Sequence, residues 1–199
     1  MPAAIATPRE RILDAALRLF YRDGIAATGV DRVIAEAGVA KATLYYHFPS
    51  KETLAVAFLA ERHQQWMARF RQHLAAQPRQ DLPAVADALA CWMREPDFRG
   101  CAFINAVTED ASAAVRAQAL AHKAELQQVI AMTCRKHRTA AKADALGRQA
   151  MLVIEGMIIR YQMTADPQVM ADGRTVLAQL AQARSTRRLT VPAPDRPSR

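Results

Sequence analysis

Glycine is scarce here, with seven residues in 199, and nowhere do several fall together. That excludes a glycine-rich loop able to cradle phosphates. With Ala, Leu, Arg and Gln abundant, it also favours helix throughout. Cysteine is scarce and odd in number: Cys91, Cys101 and Cys134. The opening Met1-Pro-Ala-Ala-Ile-Ala-Thr-Pro has neither a basic start nor an apolar stretch of useful length, so no secretory leader is read there. A reduced, cytoplasmic protein is expected, its cysteines acting as small apolar residues; a redox-sensing pair is the alternative. No apolar run approaches the ~18–20 residues that cross a bilayer, so no membrane partner is expected. The histidines, His47, His63, His73, His122 and His137, never fall three or four apart, the interval of a helical metal site. Ser50, Ser112, Ser185 and Ser198 sit in cap or tail contexts rather than on a nucleophile elbow. Neither an enzyme, a metal nor a cofactor is expected. No internal repeat and no convincingly alternating strand is found, and the fold class read is all-α.

What is present is concentrated in residues 25–52, which read as two short helices joined by a tight turn. Thr28 stands where an N-cap belongs, with Asp31 three residues on. Val30, Val33, Ile34 and Ala37 give the first helix an apolar stripe, and Gly38 can take the left-handed conformation that stops it. The second helix is predicted over about Ala40–His47, with Leu44 and Phe48 as inward anchors. Lys41, Thr43, Tyr45, Tyr46 and His47 are left facing outward. A short exposed helix carrying a cation, a hydroxyl, two phenols and an imidazole suits a DNA major groove. Lys41 can reach a base edge or a phosphate, and Thr43 a base or a thymine methyl. Tyr45, Tyr46 and His47 suit phosphate oxygens, although Tyr45 and Tyr46 could instead pack internally. Thr28, with the amides after it, and Lys51 at the start of the next helix are the remaining phosphate candidates. Ala42 offers no hydrogen bond, so binding should lean on phosphates and DNA shape.

Residues 9–59, from Arg-Glu-Arg-Ile-Leu-Asp-Ala-Ala-Leu-Arg-Leu-Phe through Thr-Leu-Tyr-Tyr-His-Phe-Pro-Ser-Lys-Glu-Thr-Leu, resemble the N-terminal domain of the tetracycline-repressor (TetR) family. Arg99-Gly-Cys-Ala-Phe-Ile-Asn-Ala-Val-Thr-Glu109 is similar, more weakly, to a segment near the start of the ligand-binding half in one branch of that family. The resemblance implies an all-helical homodimer. Its paired helix-turn-helices would bind a palindromic operator in double-stranded DNA, and its C-terminal half would sense a small-molecule effector.

The formal charge of +8 suits a polyanionic partner. Much of it lies away from the helix-turn-helix, in Arg135–Arg148 and in the tail from Arg184, so a solvated basic surface explains it as well. Three segments are read: a DNA-binding unit over 1–50, a helical ligand-binding and dimerisation unit over 51–185, and a basic, proline-containing tail over 186–199 too poor in apolar residues to fold. Thr7-Pro8-Arg9-Glu10 should open the first helix, with Ile12, Leu13, Ala16, Leu17 and Phe20 as its stripe and Gly24 as its end. Ser50 should cap a long helix from Lys51 to about His73. Further helices are read from about Asp81 to Met93, Gly100 to Thr108, Ala111 to Lys136, Lys142 to Thr164, and Pro167 to Arg184.

Trp66, Phe70, Trp92, Met93, Phe103, Met132, Met157 and Tyr161 could line an effector pocket, with Asn105, Glu109 and Glu155 as its polar groups. Each could equally be ordinary bundle core. The expected effector is mainly apolar with an aromatic ring. It would sit between the Trp66–Phe70 helix and the Glu155–Tyr161 helix, and the long helix from Lys51 would be the mechanical link to the recognition helix. Glu155, in a run of apolar residues, needs a partner if buried. The last two long helices should form a four-helix dimer bundle through Leu146, Met151, Val153, Met170, Val176, Leu177 and Leu180. A DNA-binding architectural regulator whose C-terminal half only dimerises is the competing reading.

Overall fold

The computed structural model describes residues 6–110, 112–135 and 138–182, and these form α-helices with no strand among them. The helices are α1 (Pro8–Asp23), α2 (Val30–Ala37), α3 (Lys41–His47), α4 (Lys51–Ala75), α5 (Leu82–Met93), α6 (Ala102–Glu109), α7 (Ala113–Thr133), α8 (Ala140–Thr164) and α9 (Gln168–Gln182). The tail over 186–199 and the expected helix ends at Ala111, Lys136 and Arg184 lie outside the described residues.

Local chemistry sets most helix starts. At α1 the Glu10 amide donates to Thr7 Oγ1 at 3.3 Å and the Thr7 amide to Glu10 Oε2 at 2.7 Å, closing a capping box ahead of Pro8. That amide bond holds the Glu10 carboxyl below its usual range. Ser50 caps α4 through the Thr53 amide, Asp81 caps α5 through the Ala84 amide, and Ser112 caps α7 through the Val115 amide. The face α1 buries is rotated from the expected stripe: Ile12, Ala15, Ala16, Leu19, Phe20 and Tyr21 are buried, while Leu13 and Leu17 are half-buried.

Helices α1–α3 pack on one another, and α1 also packs on α4. Beyond them α4 meets α5 and α7, α7 meets α6 and α8, and α9 lies across α5 and α8. The buried side chains of both groups form one continuous cluster, from Ile12 and Leu44 through Phe58 and Trp66 to Ile154 and Leu177. Helices α7 and α8 come unusually close at Gly147, where an added Cβ would stand 2.9 Å from Ala131 Cβ and 3.1 Å from the Gln127 carbonyl oxygen.

The α8–α9 pair corrects part of the expected dimer face. Leu146, Met151, Met170 and Leu177 are buried within the chain's own core, because the inner face of each helix is consumed by α5 and α7. Val153 and Leu180 are half-buried and Val176 is exposed. The apolar residues actually left open on α8 are Leu152 (74% exposed), Ile159 and Met163 (77% exposed). They stand seven and four residues apart, one face of a helix. No helix among the described residues is long and apolar enough to cross a membrane.

Candidate nucleic-acid interface and effector cavity

Helix α2 stops at Gly38, whose φ of 61° and ψ of 44° are left-handed, a backbone state with no Cβ penalty in glycine. Its amide reaches back to the Ala35 carbonyl, and the Val39 amide to that of Ile34. Arg11 Nη1 on α1 donates to the Gly38 carbonyl at 3.3 Å, so the supporting helix grips the turn itself. Leu44 and Phe48 are buried, as their anchoring role requires.

With those anchors inside, the opposite face of α3 is set. Tyr46 is 82% exposed, Tyr45 and Lys41 are exposed, and Thr43 and His47 are half-buried. Lys41 Nζ rests 3.2 Å from Asp31 Oδ1, an exposed pair that a stronger anion could displace. Tyr46 meets His47 edge to face, with ring centroids 5.0 Å apart. Lys51 is half-buried and donates from Nζ to the Ala26 carbonyl at 3.3 Å, so it also ties α4 to the turn after α1.

Thr28 is corrected. It is fully buried, and its hydroxyl donates to the Gly24 carbonyl at 2.7 Å. Gly29 is the N-cap of α2, with no side-chain cap bond. Thr28 therefore braces the loop from inside and presents no side chain to a ligand. At Gly29 an added Cβ would meet nothing within 4 Å, which leaves open space beside the first amides of α2.

The expected effector pocket divides in two. Trp66, Phe70, Trp92 and Phe103 are buried and do come together. Trp66 stacks on Phe70 with centroids 5.1 Å apart and takes Trp92 edge-on at 5.3 Å. The cavity between Trp66, Trp92, Phe103, Leu126 and Ile158 is closed down to about 10 Å³, the room of a single water. Asn105, Glu109 and Tyr161 instead line an open cleft of about 530 Å³ between the end of α1 and the connection from Met93 to Arg99. Glu155 lines neither space and pairs at 3.4 Å with Lys123, which does line the closed cavity. Met157 is a core residue, Met93 is buried in the wall of the open cleft, and Met132 is exposed away from both spaces.

Two side chains of the closed cavity, Arg62 and His122, and His63 behind His122 were not singled out in the sequence. Arg62 lies on the apolar line of α4, one turn after Phe58 and one before Trp66, and His122 continues the buried line Val115–Ala119–Leu126 of α7. A polar residue in register with an apolar stripe was the available signal. His63 and His122 meet across 59 residues of sequence, Nδ1 to Nδ1 at 3.1 Å, which no spacing rule reveals. His63 Nε2 lies 3.1 Å from Glu125, whose carboxylate is also held by Arg71. His122 stacks on Phe103 at 3.7 Å. Burial drives its imidazole pKa down to about 3, with smaller contributions from the charges of Lys123 and His63.

The link back to the first helices is not α4 alone. The Ala26 amide donates to Glu109 Oε2 of α6 at 3.0 Å. The Tyr21 hydroxyl accepts from the Arg99 amide at 3.0 Å and donates to the Gly100 carbonyl at 3.3 Å. Burial pushes the Tyr21 phenol above its usual range despite those contacts. The Arg62 guanidinium lies 3.8 Å over the Tyr21 ring.

Residues 12–58 match the family described as bacterial regulatory proteins, tetR family. The HTH-type transcriptional regulator LmrA of Bacillus subtilis is 37% identical over 86 residues, 42% of this chain and 46% of that protein. The match thus spans less than half the length of that curated relative. A TetR-family transcriptional regulator from Streptomyces coelicolor superimposes with a TM-score of 0.78 at 30% identity, over 88% of this chain and 94% of that one. The multidrug binding protein EbrR, crystallised with malachite green, superimposes with a TM-score of 0.66 at 25% identity, over 86% of this chain and 96% of that one.

Proposed function

This chain belongs to the TetR family of bacterial regulatory proteins, and from that premise we propose that it is a cytoplasmic transcriptional repressor released from its operator by a small molecule. Residues 1–50 would be the DNA-binding unit and 51–185 the sensing and dimerising unit. The observation that carries the reading is the outer face of α3. Leu44 and Phe48 are spent on the core, while Lys41, Thr43, Tyr45, Tyr46 and His47 keep an open edge. Presented to a major groove, Lys41 and Thr43 would meet base edges, and the phenols and imidazole would meet phosphates. Lys51 and the open amides of α2 beside Gly29 would add phosphate contacts.

A homodimer through the open faces of α8 and α9 would place two such helices on half-sites roughly 34–36 Å apart, matching a palindromic operator. Leu152, Val153, Ile159, Met163, Val176 and Leu180 are the residues for that contact. The aromatic walls of the α4–α5–α6–α7 cavity suit a ligand with an aromatic ring, and malachite green held by EbrR is a precedent among similar proteins. The cavity is nearly closed, so a ligand would select a conformation in which the rings part. The same closure favours the second reading, a non-sensing regulator whose C-terminal half only dimerises.

The test is selection of bound DNA from a random library, followed by titration of the recovered operator. Tyr46→Phe should weaken binding about tenfold with unchanged thermal stability, since the hydroxyl has no protein partner among the described residues. Thr43→Ala should alter the consensus. A selection that enriched no sequence would overturn operator recognition. A broad ligand screen in which nothing released the operator would move the non-sensing reading ahead.

A further inference from the structure

The closed cavity contains a charge without a counter-charge. Arg62 is 8% exposed, lines the cavity beside Trp66, Trp92 and Phe103, and makes no ion pair among the described residues, its polar contact being the Tyr21 phenol. A guanidinium cannot shed its proton to escape burial, and buried charges are normally paired. Glutamates of the surrounding helices are committed elsewhere. Glu155 holds Lys123 at 3.4 Å, Glu125 holds Arg71 and His63, Glu95 holds Arg69 at 3.4 Å, and Glu109 takes the Ala26 amide. Asp97, exposed on the connection between α5 and α6, is close enough for its charge to act on the Tyr21 phenol, but among the described residues it forms no ion pair with Arg62. The Tyr21 ring offers Arg62 a π-face at 3.8 Å, which compensates one face of the guanidinium, and five N–H donors are more than the single Tyr21 hydroxyl can take up.

The remaining polar wall does not repel an anion. Lys123 is a cation already paired, and His122, stacked on Phe103, has Nδ1 occupied by His63 and no protein partner for Nε2 among the described residues. As the neutral imidazole that its burial enforces, His122 can donate from Nε2 when Nδ1 accepts from His63. The rest of the wall is indole, phenyl, thiol and aliphatic.

The geometry points to an aromatic carboxylate as the effector, its ring among Trp66, Trp92 and Phe103 and its carboxylate on the donors of Arg62. This assignment rests on the sensor reading above and narrows it from an apolar aromatic molecule to an anionic one. A planar guanidinium matches a carboxylate through two parallel hydrogen bonds. Because Arg62 also rests on Tyr21 of α1, a ligand that recruits it acts on the contact between the cavity and the DNA-reading helices.

The experiment uses the full chain, the operator recovered by selection, and two isosteric probes, a naphthalene carboxylate and the corresponding neutral carboxamide. Binding is read from the fluorescence of Trp66 and Trp92, both in the cavity wall, and release from operator titration. The carboxylate should bind about 10- to 100-fold more tightly than the carboxamide and should alone release the operator. Arg62→Met should abolish that preference, and Arg62→Lys should keep part of it. Equal binding of the two probes to the unmutated protein would overturn the proposal, and that comparison holds even where Arg62→Met loses its fold. Release of the operator by neutral aromatics, with no carboxylate binding, would overturn the anionic assignment and leave the sensor reading standing. Failure of every compound, charged or neutral, would overturn both.

Discussion

His122 illustrates how much one side chain can decide here. Its imidazole is 3% exposed between Phe103, Trp66 and His63, and its folded pKa of about 3 lies below the ordinary 6.5. Below pH 6.5 the unfolded chain takes up a proton that the folded chain refuses, so stability falls as pH drops toward 3. Going from pH 6.5 to about 4.5 should cost about 2 kcal/mol through this residue. Denaturant melts at the two pH values should show that loss in the unmutated protein and much less of it in His122→Phe; equal losses would remove the assignment. Thr28 shows the limit of reading at this scale. A threonine before an apolar helix has two local uses for its hydroxyl, capping forward or bonding a carbonyl behind. Residue type does not distinguish them, and here the bond to Gly24 wins while Gly29 takes the cap. The Cys134 thiol, pushed up by burial, carries less thiolate than an unperturbed cysteine.

At the scale of elements, Gly147 sets how closely α7 and α8 approach. Its notional Cβ meets the Gln127 backbone oxygen as well as Ala131, and backbone cannot rotate out of the way. Gly147→Ala should therefore destabilise by about 1–3 kcal/mol despite the better helix propensity of alanine, measured as a lower thermal midpoint; a raised midpoint would mean the helices part freely. Helix starts were legible because caps are written within three residues: Thr7 with Glu10, Ser50 with its Thr53 amide, Asp81 with Ala84. Which face of a helix meets which neighbour was less so. Helix α8 reads as apolar on nearly every side, and that pattern cannot separate a face packed on its own chain from one left for another copy. Met151 and Leu177 hence went inward, whereas Leu152 and Met163 stayed out. The aromatic residues of the cavity were identified by type, yet their division between a closed cluster and an open cleft depends on contacts between helices far apart in sequence. Asn105 and Tyr161 fell on the cleft side for that reason.

For the whole molecule, the open apolar row of α8 sets the expected assembly. Leu152→Asp or Ile159→Asp should give a folded monomer with operator affinity reduced at least tenfold, because two linked heads bind a palindrome far more tightly than one. Sedimentation at micromolar concentration checks it: a dimer for the unmutated protein and a monomer for the variants is the expected pair, and a monomer in both would remove the assembly. The joint between the first three helices and the rest has a different consequence. It is made by residues far apart in the chain: Tyr21 with Arg99 and Gly100, Ala26 with Glu109, and Arg62 over Tyr21. Similarity to LmrA is confined to 86 residues, so the two sides of this joint need not change in step among relatives. A DNA-reading head is then not a freely interchangeable cartridge. Transplanting residues 1–50 onto another sensor body would carry Tyr21 and Ala26 but leave Glu109 and the Arg99–Gly100 backbone behind. A chimera of that kind would read its DNA yet be deaf to its ligand until those counterparts travelled with it.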